Sequence, residues 1–390
     1  MTRWVAEPVR NRVTGFLWSR APGLHYAPTL LMRLHTLRWL RPWLLVPISA
    51  CGSAAVDPPA SPPVDPRVYQ DAAPRVQAAS KTSPEAERAS AEAWEHGVTQ
   101  TDVQVLSPLL DPDGDFSFPG MSDATDRAGT LKALGDLFGP FSDRKLTPLR
   151  VWQIDPVVVV EWGMTAVQSG DFMGVKATQK PVTIHGISLL WFDHNGLISD
   201  THCYFDVGSV LAELGPAPKG IEAPAPLATP GLVVPVVAQG SAAEKANVGI
   251  VNGSWDAFEA KNEAGYLAPI ADDIEVFRLD RAAPDRGKST RKGFYKWFTS
   301  GLSSLSQTPT NAWGIGSFVI EEYTVAGVHS GKLTDSAPSG HALRLHYVDV
   351  DEMKDGKIVR TWTFGNSLEL LAQIGQVERA APGAGSAVIK

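Results

Sequence analysis

Residues arranged for known catalytic or cofactor chemistry are scarce in this sequence. Arg286–Ser289 (Arg-Gly-Lys-Ser) matches the end of a phosphate-binding loop, but that loop needs a glycine five residues before Gly287, where Ala282 stands. HExxH, GxSxG and GxGxxG motifs are absent. Two cysteines, Cys51 and Cys203, are too few for a disulfide framework and are not spaced to bind zinc. We therefore expect neither a metal nor a cofactor.

Two histidines, His185 and His346, occupy matching positions of an internal repeat, which raises the question of a catalytic role. Strand alternation, with a hairpin turning at Asn195, would place His185 across from Asp206. We interpret this as a structural His–Asp contact rather than a catalytic pair. His194, beside the same turn, is expected to be exposed to solvent.

The charge of the chain is unevenly distributed. Residues 1–50 carry seven Arg, no Lys and one acid, which leaves 28 basic and 41 acidic residues after position 50, a net charge of about −13. An acidic body of this kind is repelled by phosphate backbones, so we expect no nucleic-acid partner. No apolar run reaches the roughly 18–20 residues that a membrane-spanning helix needs.

The elements that would position a site form two copies of one unit, at 83–215 and 243–376. A linker rich in Pro, Ala, Gly and Val at 216–242 separates the copies, and we expect the tail at 377–390 to be disordered. Val157–Trp162 resembles a strand 161 residues later, which places Trp162 and Tyr323 at equivalent positions. The repeat is the strongest feature of the sequence.

Each copy combines helices with strands that form hairpins. Ser83 and Pro84 provide an N-cap and a first-turn proline for the opening helix. Three further elements recur in both copies, namely a helix (126–138, 289–302), a hairpin turn (Asn195-Gly196, Asp355-Gly356) and a closing helix with a capping Asp or Asn (Asp206–Gly215, Asn366–Gly375). The pattern predicts two α+β domains.

This pattern resembles the SnoaL-like polyketide (ester) cyclase family, which has the nuclear transport factor 2-like fold. The resemblance rests on the hairpin and on the closing element "D-x-x-x-x-L-x-Q-L-G", present as Asp206–Gly215 and again as Asn366–Gly375. It covers both copies and implies a curved antiparallel sheet folded over helices around an apolar pocket. Family cyclases close a ring by an intramolecular aldol reaction in which an Asp, aided by a His, moves the proton.

The same resemblance places the family's catalytic positions in this chain. The family Asp falls at Cys203 in the first copy and at Thr363 in the second, and the family His falls at Ser188 and at Asp349. Neither copy keeps the pair. Asp349 is the one carboxylate at a family site, and we consider it either an acid–base group or a structural strand residue. The pocket candidates are Trp162, Ser188, Cys203, Tyr323, Asp349 and Thr363.

The outer face of each sheet, opposite the pocket positions, would carry His202 and Trp362. Related domains often pair through this face. We therefore expect the two copies to form an intrachain pseudo-dimer that buries the region around Trp362.

The N-terminal region is typical of an export signal. Residues from Met32 begin with arginines, continue with an apolar stretch at 42–50 and end in Ile-Ser-Ala-Cys at Cys51, which resembles the lipobox of bacterial lipoproteins. The expectation is a leader at 1–50 with a true start at Met32, a lipidated Cys51 and a Pro/Ala-rich tether at 51–82, placing the protein in the bacterial envelope. The alternative is a chance apolar patch with an incidental cysteine.

Two functions from different classes remain open. The first is an exported, lipid-anchored protein that binds small apolar or polyketide-like molecules, and its membrane contact would be the anchor alone. The second is a divergent cofactor-free cyclase, isomerase or hydrolase that uses Asp349 or another group. Replacement of the family acid–base pair in both copies favours binding, or a purely structural role, over catalysis.

Overall fold

The computed structural model of the chain describes residues 83–227 and 233–377. The predicted leader, Met32, Cys51, the tether and most of the tail at 377–390 lie outside the described residues. In the described part, none of the helices combines the length and apolar character needed to cross a membrane.

The first domain begins with helices whose ends follow the sequence. Its elements, in chain order, are α1 (Pro84–Gln100), α2 (Val103–Leu106), a 3₁₀ turn (Ser107–Leu109), β1 (Leu110–Ser117), α3 (Arg127–Phe138), β2 (Phe141–Ile154), β3 (Val157–Gln168), β4 (Pro181–Phe192), β5 (Ile198–Phe205) and α4 (Val207–Leu214).

The second domain repeats this order, with an additional short strand beside its first long strand. After the linker strand β6 (Val236–Val237) come α5 (Ala242–Glu259), α6 (Glu263–Leu267), β7 (Ile270–Arg278), β8 (Asp285–Arg286), α7 (Lys288–Gly301), β9 (Leu302–Ile315), β10 (Phe318–His329), β11 (Ala342–Lys354), β12 (Lys357–Gly365) and α8 (Ser367–Gln373). The prediction of two tandem α+β domains is confirmed.

Each domain contains a mixed sheet built on an antiparallel meander. The strand orders are β1-β5-β4-β3-β2-β6 and β8-β7-β12-β11-β10-β9. The first long strand of each domain returns to pair with the last in parallel, β1 with β5 and β7 with β12. Strand β6, from the linker, extends the first sheet by pairing with β2.

Side-chain caps fix the helix starts that the sequence predicts. Ser83 accepts a hydrogen bond from the Ala86 amide, and Ser241 forms a capping box with Glu244. Asp206 and Asn366 cap the closing helices α4 and α8, as expected. These caps satisfy backbone N–H groups that have no partner within the helix.

The two central hairpins differ by one residue. Lys354 and Lys357 flank a two-residue turn at Asp355-Gly356, where both residues have positive φ. In the first domain five residues separate the paired Phe192 and Ile198, whereas four separate the equivalent pair in the second domain. The turn therefore accounts for the change of the repeat spacing from 161 to 160.

The two faces of each sheet have different partners. The inner face packs on the helices, and the outer faces of the two sheets contact each other through apolar side chains. The buried members of this outer cluster come from both domains, namely Trp152, Val157, Val159, Ile187, Leu189, Trp191, Tyr204, Leu279, Ile315, Ile320, Val348, Val350 and Phe364. Trp362 lies against this cluster, half-buried.

The predicted contact between His185 and Asp206 is wrong. His185 Nε2 lies 2.7 Å from Glu161 Oε1, because Glu161 projects from the adjacent strand on the same face. The Asp206 carboxylate instead accepts hydrogen bonds from α4 amides and from the amide and hydroxyl of Ser367, at 2.7 and 2.6 Å. His194 is exposed, as expected.

We predict that the outer-face contact holds the domains together in solution. After limited proteolysis within the linker at 216–242, the two fragments should elute as one complex in size-exclusion chromatography, because apolar surface from both sheets is buried between them. Release of two independent monomeric domains would contradict this prediction and the expected pseudo-dimer.

Candidate functional site

The predicted pocket positions of the first domain lie side by side on the inner face. Ser188 is paired with Cys203 across the hairpin and with Val160 on the other side. The Trp162 indole N–H donates to the Ser188 hydroxyl at 2.9 Å. The space that these residues line is about 10 Å³, enough for no more than one water molecule. The first pocket is therefore filled by the protein's own side chains.

Glu95 of α1 faces this small cavity and was not anticipated from the sequence. Neither of its carboxyl oxygens has a hydrogen-bond partner among the described residues. Burial raises the pKa of Glu95 to about 8 and raises the pKa of the Cys203 thiol. Both groups are therefore mainly neutral at pH 7, which makes Cys203 a poor nucleophile.

In the second domain, most of the equivalent inner-face positions carry ionisable side chains. Glu321, Asp349 and Thr363 are paired across β10, β11 and β12. Asp351, two residues along β11, projects from the same face and accepts a 2.6 Å hydrogen bond from the Thr361 hydroxyl. Glu321, Asp349 and Asp351 are 1%, 1% and 2% exposed. Three buried carboxyl groups thus lie together on the inner face of the second sheet.

Aromatic side chains and one arginine enclose these carboxyl groups. The Trp255 indole N–H donates to Glu321 Oε2 at 2.7 Å, while Glu321 Oε1 has no hydrogen-bond partner in the described structure. The buried Arg291 guanidinium of α7 lies 5.9 Å from the Trp255 ring centre and 5.6 Å from that of Tyr266. Arg291 is the positive charge that acts on Asp349 and Asp351.

The pKa values of the three carboxyl groups are all raised. Burial is the main cause for each. It raises the pKa of Asp351 to about 7, with a further contribution from the Asp349 charge and an opposing one from Arg291. Glu321 has a pKa well above its ordinary range, and that of Asp349 is raised despite Arg291 and hydrogen bonds from Thr363 and Tyr323. The cluster therefore retains protons near neutral pH.

The first domain shows that the fold does not require this cluster. At the positions equivalent to Glu321 and Asp351 it has Val160 and Leu190, as the strand registers show. The fourth residue of α7 is Arg291, whereas the fourth residue of α3 is Thr130. The same architecture is thus built once with a mainly apolar interior and once with an ionisable one.

All six predicted pocket residues lie on inner faces, in two separate groups. The structure brings together Trp162, Ser188 and Cys203 in the first domain, and Tyr323, Asp349 and Thr363 in the second. Sequence reasoning missed Glu95, Glu321, Asp351 and Arg291. One signal was available, since Asp349 and Asp351 alternate along a strand on the face where the first copy has Ser188 and Leu190.

Among the described residues, no group of three or more His, Cys, Asp and Glu side chains is placed to hold a metal ion. The chemistry available to the second domain is proton transfer by Asp349, Asp351 and Glu321. A carboxyl group whose pKa lies near the working pH can both accept and return a proton.

Glu95→Met is expected to stabilise the first domain, because it replaces a buried carboxyl group that lacks partners with an apolar side chain of similar size. The gain should be roughly 2 kcal/mol at pH 7. Since the pKa is raised in the folded state, the carboxyl group costs more stability as pH rises from 4.5 to about 8. Urea unfolding at pH 6 and pH 9 measures this, with exposed Glu92→Met as the control. Destabilisation would show that Glu95 has a partner.

The second domain is expected to lose stability as pH rises, because the folded protein holds a proton on Asp351 that the unfolded chain releases. The loss begins near the ordinary pKa of 3.8 and is complete above about 7. Asp351→Asn should therefore reduce the difference in thermal midpoint between pH 5 and pH 8. Asp355→Asn, in the exposed turn, is the matched control. An unchanged difference in Asp351→Asn would contradict the raised pKa.

Comparisons with known proteins agree with the repeated architecture. A SnoaL-like domain model matches residues 90–201, and a SnoaL-like polyketide cyclase model matches residues 251–374. A search of the curated proteins finds no match.

Solved structures similar to this chain each cover about one domain of it. AclR from Streptomyces galilaeus is 19% identical, covers 36% of this chain and 87% of its own, and has a TM-score of 0.33. TsrD from Streptomyces laurentii is 16% identical, with coverages of 35% and 98% and a TM-score of 0.32. IdmH from Streptomyces antibioticus is 19% identical, with coverages of 33% and 98% and a TM-score of 0.30. This chain is built from two SnoaL-like domains in tandem.

Proposed function

We propose that the second domain is an acid–base catalyst for a small, largely apolar carbonyl compound of the polyketide-like class, and that the first domain is its structural partner. The observation that carries this proposal is the cluster of Glu321, Asp349, Asp351 and Arg291, which the first domain lacks. Buried ionisable groups cost stability, so a cluster that the fold does not need is better explained by chemistry.

The cluster offers the groups that an intramolecular aldol or isomerisation reaction requires. Asp349, when ionised, would remove a proton from carbon next to a carbonyl group, and Arg291 would stabilise the negative charge that develops on the carbonyl oxygen. In an aldol closure the new carbon–carbon bond leaves an alkoxide, to which protonated Asp351 would donate its proton. The proton on Asp349 then returns to Asp351, and no atom is gained or lost.

Binding without reaction, which the sequence alone favours, fits the first domain less well than expected because its cavity is about 10 Å³. In the second domain, Asp349 is 1% exposed, so a substrate would reach it only after a movement that opens this interior. Arg291 lies on α7, which contacts strands β7 and β9 of that sheet. Entry of the substrate would therefore also change the partners of the carboxyl groups.

The export and anchoring of the protein are a separate proposal, supported by the arginine-led apolar stretch before Cys51. Cleavage before Cys51 and lipidation of its thiol would hold the two domains at a bacterial envelope membrane through the tether. Intact-mass measurement of the native protein tests this, and an unmodified N-terminus upstream of Cys51 would rule it out.

Catalysis of proton transfer can be tested without knowing the natural substrate. We expect the wild-type protein to accelerate deuterium exchange at the carbon next to the carbonyl group of 2-tetralone, followed by NMR in D₂O. Asp349→Asn should reduce this acceleration by roughly 100-fold, because the amide cannot accept the proton. Ser188→Ala changes the equivalent position of the first domain and should leave the rate unchanged.

Two results would contradict the proposed function. The first is a wild-type exchange rate equal to that in buffer. The second is an equal loss in Asp349→Asn and Ser188→Ala, which would point to a general effect on folding. Circular dichroism and the thermal midpoint of each variant show whether the fold is kept.

A further inference from the structure

A second cavity, of about 160 Å³, lies between the domains, on the outer faces of the sheets. It is separate from the inner-face cluster of the second domain. Strands β1 and β5 line one side, and β10 and β11 line the other. Since a cavity of roughly 150 Å³ holds one benzene molecule, this interdomain cavity has room for a ligand with one ring.

The internal repeat provides an equivalent cleft between the domains, which the protein fills with its own side chains. In that cleft the Phe277 and Trp362 rings stack, with their centres 5.2 Å apart and their planes at 10°. The guanidinium carbon of Arg150, from the other domain, lies 3.6 Å from the centre of the Trp362 ring. Three planar groups thus close the equivalent cleft.

Two of these three groups are replaced by smaller side chains in the interdomain cavity. The strand register pairs Phe277 of β7 with Trp362 of β12. In the first domain the same register pairs Ser117 of β1 with His202 of β5, and both residues line the cavity. A serine therefore stands where the outer ring of the Phe277–Trp362 stack would lie.

The third group is replaced by Asn311, which takes the position of Arg150 in the repeat. Arg150 is paired with Glu161 across β2 and β3, and Asn311 with Glu322 across β9 and β10. The Asn311 amide donates to Glu322 Oε2 at 2.7 Å. Because asparagine is shorter than arginine, it cannot extend across the cleft as Arg150 does. The cavity thus results from smaller residues at positions that planar groups fill elsewhere in the same chain.

The His202 ring is held as a cation at the wall of the cavity. Its Nδ1 atom lies 2.5 Å from Glu322 Oε1, and its Nε2 atom lies 3.4 Å from Asp200 Oδ1. Burial alone would lower the pKa of His202, but the charges of Glu322 and Asp200 raise it well above its ordinary value. An aromatic ring that lies against such a cation gains cation–π attraction in addition to its burial.

We propose that the interdomain cavity binds a neutral aromatic compound with one ring, which lies against His202 as Phe277 lies against Trp362 in the equivalent cleft. The ligand is neutral because the His202 charge is already shared by Glu322 and Asp200. An anion would be repelled by these two carboxylates, and a cation would compete with His202 for them. This site is independent of the catalysis proposed for the second domain, which uses the opposite face of the sheet.

Binding of 4-fluorophenol to the full chain, followed by fluorine NMR, tests this proposal. We expect saturable binding of one equivalent. Phenol should displace the probe at a concentration at least about threefold lower than cyclohexanol, which is of similar size but has no aromatic face. Ser117→Phe should abolish binding, because it supplies the ring that Phe277 supplies in the equivalent cleft. Ser117→Ala keeps the space, so this matched control should bind as the wild type does.

Asn311→Arg fills the cavity from the other domain and should also abolish binding of 4-fluorophenol. Asp349→Asn, in the interior of the second domain, should leave it unchanged. The proposal is overturned if the wild-type protein does not bind the probe, or if cyclohexanol displaces it as well as phenol does. It is also overturned if either filling variant still binds while its circular dichroism spectrum is that of the wild type.

An equal loss of binding in Asp349→Asn would place the probe in the interior of the second domain and would likewise contradict the proposal. The rate of 2-tetralone exchange is not expected to change in Ser117→Phe, so this proposal and the proposed function fail separately.

Discussion

A carboxylate enclosed in protein has to find a positive partner or retain its proton, and this requirement accounts for most of the unusual features of the molecule. At the contact between the domains, buried carboxylates have partners. Glu161, for example, is paired with Arg150 and His185. These partners outweigh burial and lower the pKa of Glu161. In the first domain Glu95 has no partner and its pKa is raised to about 8. In the second domain three carboxyl groups lie near the single Arg291, so they cannot all be ionised.

The arrangement of the sheets determines where chemistry is possible. Packing of the two outer faces against each other uses apolar residues of both sheets and leaves the inner faces to the helices. In the first domain Trp162 and neighbouring apolar groups fill the inner space. In the second domain that space is lined by ionisable groups. The two copies therefore agree in their helix caps and hairpin turns, which build the fold. They differ in the polarity of their interiors, which is mainly apolar in the first domain and ionisable in the second.

Local features were predictable from the sequence, whereas contacts that depend on several elements were not. The caps at Asp206 and Asn366 and the pairing of Ser188 with Cys203 follow from short-range rules on helix ends and hairpins. The predicted partner of His185, Asp206, was wrong. Glu161, on the neighbouring strand β3, contacts His185 instead. Arg291 was missed because its role depends on how α7 packs on a sheet formed by residues further along the chain.

The central claim is that the interior of the second domain contains protonated carboxyl groups at neutral pH, and infrared spectroscopy of the carboxyl C=O stretch tests it directly. The account predicts a protonated-carboxyl band at pH 6 that weakens as Asp351 loses its proton near pH 7 and that is smaller in a Glu321→Gln, Asp351→Asn double variant. A small part of the band should remain in that variant, since Glu95 is protonated in the same range. A spectrum without the band at pH 6, or one that the double variant leaves unchanged, would contradict the account.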